Sequence, residues 1–155
     1  MKCSYVPIDR MGLDGQMEVW LQILPFVKKL VTQSNGRVSE TSLLEECRTG
    51  QVNLWICYEE KDGNPVPAVF ICTKVRVYPT GLKLLSYEYC GGERIDEWFD
   101  IAHEVITKWC LTPTEEGGAG CDGLEIIGRL GWHRYLKPKG WEQLFTVYEL
   151  RFDTG

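Results

Sequence analysis

Histidine is scarce: His103 and His133 are the only two in 155 residues, and they stand far apart, without metal-ligand spacing. The seven cysteines are odd in number and none forms a C-x-x-C pair. That argues against a zinc site or a redox pair and implies reduced thiols used as small hydrophobes, with Cys57, Cys72 and Cys90 inside apolar, strand-like runs. Long hydrophobic runs are missing too. The stretch from Val66 to Cys72 falls far short of a membrane span, and Met1–Tyr5 has no apolar stretch of the kind a signal peptide needs, so the expected compartment is a cytoplasm. Basic charge is the minority, with 17 Lys and Arg against 22 Asp and Glu and a net charge of −5. A surface of that sign repels phosphate and disfavours nucleic acid as a partner. Arg129, Arg134, Lys137 and Lys139 do gather within eleven residues, a run read as a solvated helix face.

What is present is a series of periodic segments in an ordinary soluble composition, 44% hydrophobic and 25% charged. No repeat or low-complexity linker divides them, so one domain over residues 1–155 is expected. Cys3–Ile8 is a short opening strand. Val19, Trp20, Ile23, Phe26, Val27, Leu30 and Val31 mark a helical stripe between Gln16 and Gln33. Pro25 either kinks this helix or lies in its first turn. A second helix opens at Ser39 or Thr41, buries Leu43, Leu44 and Cys47, and stops at Gly50. Val52–Tyr58, Val66–Val77 and Leu82–Tyr89 are strands joined by short turns at Lys61–Asn64 and Pro79–Gly81, and such turns make them antiparallel neighbours.

Beyond Cys90-Gly91-Gly92, a stripe of Ile95, Trp98, Phe99, Ala102, Val105, Ile106 and Trp109 predicts a helix with Asp96 and Glu97 in its first turn. The loop Thr112–Asp122 leads to a strand at Leu124–Gly128, and strand, helix and returning strand make a parallel βαβ crossover. A short helix around Trp132–Lys137 and a last strand at Leu144–Phe152 complete the series. Trp132 and Trp141 are expected to pack on that last strand, and His103, beside Asp96, Asp100 and Thr107, is expected in solvent.

This order, an α/β fold with a mixed central sheet, an antiparallel meander, a parallel crossover and flanking helices, resembles the GNAT superfamily of acyl-CoA N-acyltransferases over nearly the whole chain. The residues carrying the resemblance are the Trp20–Pro25 opening, Gly50-Gln51-Val52-Asn53-Leu54-Trp55, Gly91-Gly92 followed by Trp98, and Gly128-Arg129-Leu130-Gly131-Trp132-His133-Arg134. It is closest to small GNAT-like proteins encoded by tailed bacteriophages. In that fold acyl-CoA lies between splayed strands before and after the crossover helix. The resemblance implies acetyl-CoA as the cofactor, held at Cys90, Gly91, Gly92, Glu93, Arg94 and Ile95, where amides at a helix N-terminus can meet a pyrophosphate, with Arg129 as a further phosphate ligand.

It also implies a base at Glu88 and an acid at Tyr135, with His133 as a substitute. The chain departs from the family at three places. The glycines of the pyrophosphate loop come early while Glu93 and Asp96 add negative charge. Tyr135 stands five residues before Gly140 rather than four, and one strand follows Trp141 where the full fold has two. Two readings follow. One is an N-acyltransferase acting on a small-molecule or protein amine. The other is an inactive GNAT-like structural or interaction protein of a phage, partnered by virion proteins. An unpaired sheet edge also offers a route to a homo-oligomer.

Overall fold

The structure is a computed structural model and describes residues 1–127 and 132–152, apart from the side chain of Ile95. Strands β1 (Lys2–Val6), β2 (Asn53–Lys61), β3 (Asn64–Val77), β4 (Lys83–Gly92) and β5 (Gly123–Ile126) form one sheet in the order β1-β2-β3-β4-β5. β2, β3 and β4 are antiparallel neighbours, as their short connections require. β1 is also antiparallel to β2, although two helices lie between them in the chain, and β4 pairs with β5 in parallel across the crossover helix. Helices α1 (Leu13–Gln33) and α2 (Glu40–Arg48) cover one face, and α3 (Ile95–Leu111) covers the other. A short α4 (His133–Leu136) runs into a 3-10 turn at Lys137–Lys139.

Strand periodicity divides the core between the two faces. Leu54, Ile56, Phe70 and Cys72 meet Trp20, Ile23, Val27 and Leu43 on the α1–α2 side. Trp55, Cys57, Val69, Ile71 and Leu85 meet Phe99, Ala102, Ile106 and Cys110 on the α3 side. Each fully buried large side chain contributes about 1.5–3 kcal/mol. One polar pair in the deep interior is satisfied internally, with Trp55 Nε1 donating to Thr73 Oγ1 at 3.0 Å. Six of the seven cysteines are buried and all are free thiols, in keeping with their reading as core residues.

Ser39 is the cap of α2. Its Oγ accepts from Ser42 N at 3.0 Å, and Ser42 Oγ accepts from Ser39 N at 2.9 Å. Pro25 neither starts nor ends α1, which runs on both sides of it. Pro25 and Leu21 are both exposed, so the Leu21 carbonyl deprived of its helical partner faces water.

Two expectations are corrected. Strand β4 does not stop at Tyr89: Cys90, Gly91 and Gly92 continue it opposite Ile71, Phe70 and Val69, because the long β3 offers a partner for every one of them. And residues 144–152 form no strand and belong to no described sheet. Accordingly Trp132 and Trp141 pack elsewhere, on Phe99, Tyr87 and His103. Among the described residues, no helix is long and apolar enough to cross a membrane.

Candidate active site

The site arises where β4 and β5 part. Among the described residues they pair from Leu84 opposite Gly123 to Tyr87 opposite Ile126. β5 ends there, whereas β4 runs on to Gly92 along β3. A bulge marks the point of divergence. Tyr87 pairs with Thr73 and Tyr89 with Cys72, so Glu88 is the extra residue of β4, and a bulge of this kind bends its strand and re-aims its side chains. The wedge holds a cleft of about 280 Å³. Tyr87, Glu88, Tyr89 and Cys90 form one wall, Ile126 and Ile127 the other, with Phe99 and His103 of α3 and Leu30 and Gln33 of α1 closing it.

Glu88, the expected base, therefore lies in the cleft. Its carboxylate meets the Arg76 guanidinium at 2.5 Å and its side chain is only 13% exposed. Tyr87 also lines the cleft; its hydroxyl is buried and has no hydrogen-bond partner among the described residues. Burial pushes its pKa up, so it stays protonated and remains a donor. The Tyr89 hydroxyl donates to both oxygens of Glu46 at 3.2 Å. Burial raises the Cys90 thiol to about 12, which keeps it from acting as a thiolate nucleophile.

His103 is not in solvent. It stacks on Phe99 with ring centroids 5.7 Å apart, sits 5.8 Å from Trp141, and lines the cleft. Burial lowers its pKa, against the opposing pull of Asp100. Its position was readable in the helical spacing, since Phe99, Ala102, His103 and Ile106 stand at i, i+3, i+4 and i+7. Tyr87 carried no comparable signal, because the point at which two strands separate depends on pairing between distant segments.

The expected pyrophosphate loop has a different character. A Cβ on Gly91 would stand 2.4 Å from the Phe70 ring, and one on Gly92, whose φ is +151°, 2.6 Å from the Ala68 carbonyl oxygen. Close packing of β4 on β3 thus accounts for both glycines. Glu93 N donates to Ala68 O at 3.4 Å, and Glu93 O accepts from Trp98 Nε1 at 2.8 Å. Arg94 caps α3 in the left-handed conformation, at φ +58°. Its guanidinium is held by Glu59 at 2.7 Å and Glu97 at 3.1 Å, and the Arg94 hydrogen bond holds the Glu59 carboxyl below its ordinary range. Ile95 opens the helix just after it.

The remaining expected residues lie apart from the cleft. Tyr135 is on α4, where its hydroxyl accepts from Arg134 at 3.0 Å, and it does not line the wedge. His133 is exposed at the start of α4, beside the outer edge of β5. Arg129 falls outside the described residues.

No family model matches the sequence, and no curated protein matches it. Solved structures do. A possible acetyltransferase from Clostridium difficile superposes with a TM-score of 0.61 at 11% identity, covering 98% of this chain and 97% of that one. A ribosomal-protein-alanine N-acetyltransferase from Brucella melitensis gives 0.60 at 13%, covering 98% and 99%. The fold is that of the GNAT acetyltransferases. An aminoglycoside 6'-N-acetyltransferase from Acinetobacter haemolyticus shares it too, with a TM-score of 0.57 at 13% identity over 100% of both chains. None of these three is a phage protein. On this GNAT fold the wedge between β4 and β5 is the candidate active site.

Proposed function

We propose that the chain is an acyl-CoA-dependent N-acyltransferase working in the cleft between β4 and β5. The observation that carries this reading is the separation of the two strands at the Glu88 bulge, beside a buried tyrosine hydroxyl with no hydrogen-bond partner among the described residues. An extended thioester arm fits such a wedge, walled by apolar side chains and by the edge of β4 that has no strand partner among the described residues. The thioester supplies the acyl group: the amine nitrogen bonds to the carbonyl carbon and the carbon–sulfur bond breaks. Glu88, fixed by Arg76, takes the amine proton through a bridging water. The Tyr87 hydroxyl, protonated at every working pH, donates a hydrogen bond to the departing sulfur. A free thiolate has an ordinary pKa of about 8.5 and takes its proton from solvent.

The diphosphate end is less well matched. The α3 N-terminus offers its dipole, but Glu93, Asp96, Glu97 and Glu59 surround the spot and Arg94 is already engaged by two of them. That favours weak coenzyme binding. The acceptor class is an amine, on a small molecule or on a protein.

Thermal unfolding with and without excess acetyl-CoA is the test. At a hundred times its dissociation constant the ligand adds about 2.7 kcal/mol, a rise of several degrees in Tm, and thiol release should follow when amines are supplied. An unchanged Tm at millimolar acetyl-CoA would sink the enzyme reading and leave an interaction protein on the same fold.

A further inference from the structure

Seven cysteines without C-x-x-C spacing read in the sequence as isolated core residues. The fold sets six of them in neighbouring pairs. Cys3 stands directly opposite Cys57 in the register of β1 and β2. The sulfurs of Cys47 on α2 and Cys72 on β3 lie 3.9 Å apart. Cys110, near the end of α3, and Cys121, just before β5, are joined through their backbones, Cys121 N donating to Cys110 O at 2.8 Å. Spacing along the chain hides the first pair, since both α1 and α2 separate Cys3 from Cys57.

The three pairs differ in what a reagent meets. Cys47 and Cys72 are 1% and 0% exposed, between α2 and the sheet, and burial pushes the Cys72 thiol well up. Cys110 Sγ donates to Gly123 O at 3.5 Å and Cys121 Sγ to Ala119 O at 3.7 Å, so both protons are engaged, and burial raises both thiols. Cys3 is different. At 9% it is the most exposed of the six. It lies on β1, the outermost strand, so among the described residues only one ladder has to open to free it. A hydrogen bond from the Cys57 thiol holds Cys3 below its ordinary value against the pull of burial, and pushes Cys57 up. Both side chains point to the α3 face of the sheet. Residues directly opposite on antiparallel strands have Cα atoms about 4.5–5.5 Å apart, inside the roughly 4.4–6.8 Å that a disulfide spans.

We infer that Cys3 and Cys57 form an oxidative modification site, in which Cys3 reacts with a small-molecule disulfide of the glutathione class and Cys57 resolves the adduct into a cross-strand disulfide. The Cys3 thiol gives its proton to water, and its thiolate attacks one sulfur of glutathione disulfide. A new S–S bond forms, the reagent's S–S bond breaks, and one glutathione thiolate leaves. The Cys57 thiolate then attacks Cys3 Sγ and expels the second. Two protein thiols are oxidised, one disulfide is reduced to two glutathione thiols, and these take up the two protons released. The product ties β1 to β2 and closes α1 and α2 into a covalent loop. Neither cysteine lines the cleft between β4 and β5, so the inference is independent of the acyl-transfer reading.

The experiment treats the reduced, folded protein with glutathione disulfide, quenches with an alkylating reagent at intervals, and maps the peptides by mass spectrometry. The expected result is a disulfide linking Cys3 to Cys57, formed at least about tenfold faster than one at either other pair, with the remaining thiols alkylated. Cys57→Ser should instead accumulate glutathione on Cys3, and Cys3→Ser should leave Cys57 reduced. Cys47→Ser and Cys121→Ser should leave the Cys3–Cys57 link unchanged. Near-ultraviolet circular dichroism checks that each variant is folded. A folded protein in which Cys3 and Cys57 stay alkylated overturns the proposal, as does prior oxidation of Cys47–Cys72 or Cys110–Cys121. The same pattern of disulfides in urea-unfolded chain also overturns it, since the pairing would then owe nothing to the register of β1 and β2.

Discussion

Glu88 is the extra residue of the β4 bulge, and there it meets Arg76 of β3 at 2.5 Å. The bulge turns the carboxylate into the wedge and the arginine fixes its orientation. Replacing Glu88 by Gln keeps the shape and removes the proton acceptor. We expect kcat for acyl transfer to fall about 10²–10⁴-fold, with acetyl-CoA affinity unchanged by calorimetry. Arg76 is 39% exposed, so water partly screens its loss of a partner and the stability cost stays at about 0.2–1 kcal/mol. An unaltered kcat would remove Glu88 from the chemistry.

The glycines of β4 answer to packing. Gly92→Ala places a methyl within 2.6 Å of the Ala68 carbonyl at a φ of +151°, so steric crowding and backbone strain act together. The expected loss is about 1–3 kcal/mol, read as a lower urea midpoint with the slope unchanged. A neutral result would mean that β4 is free to move off β3 at this point.

Charge at the start of α3 opposes an anionic ligand. Substituting Glu59→Gln and Glu97→Gln together releases Arg94 from both partners. Acetyl-CoA should then bind more tightly, by roughly 1.5–5-fold for each charge removed, and the gain should shrink with added salt. Equal affinities for native and doubly substituted protein would place the diphosphate elsewhere.

His103 links stability to pH. Burial holds its folded-state pKa below the ordinary 6.5. Above 6.5 the imidazole is neutral in both folded and unfolded chains, and its contribution is fully present. As pH falls from 6.5 through the lowered folded value, the unfolded chain takes the proton first, so stability is lost. In His103→Gln the decline in unfolding free energy between about pH 7 and pH 5 should be shallower than in the native protein. Parallel curves would show that the ring is solvated in the folded state.

The sequence by itself determined the elements whose signals are local. The turns at Lys61–Asn64 and Pro79–Gly81 dictate antiparallel neighbours. The apolar stripe from Trp98 to Trp109 dictates α3, and Ser39 caps α2 through a contact three residues away. Glu88 was legible as a rare charge within a strand. Tertiary structure decided the rest, because the deciding partners are far along the chain. Arg94 reads as a free cation until Glu59, 35 residues earlier, folds against it. Gly91 and Gly92 read as a loop until Phe70 and Val69 claim them as strand. Residues 144–152 have every local mark of a strand, yet a strand exists only where an edge receives it. In this chain no described strand receives the segment; strand pairing is a relation between two segments and local propensity specifies only one of them.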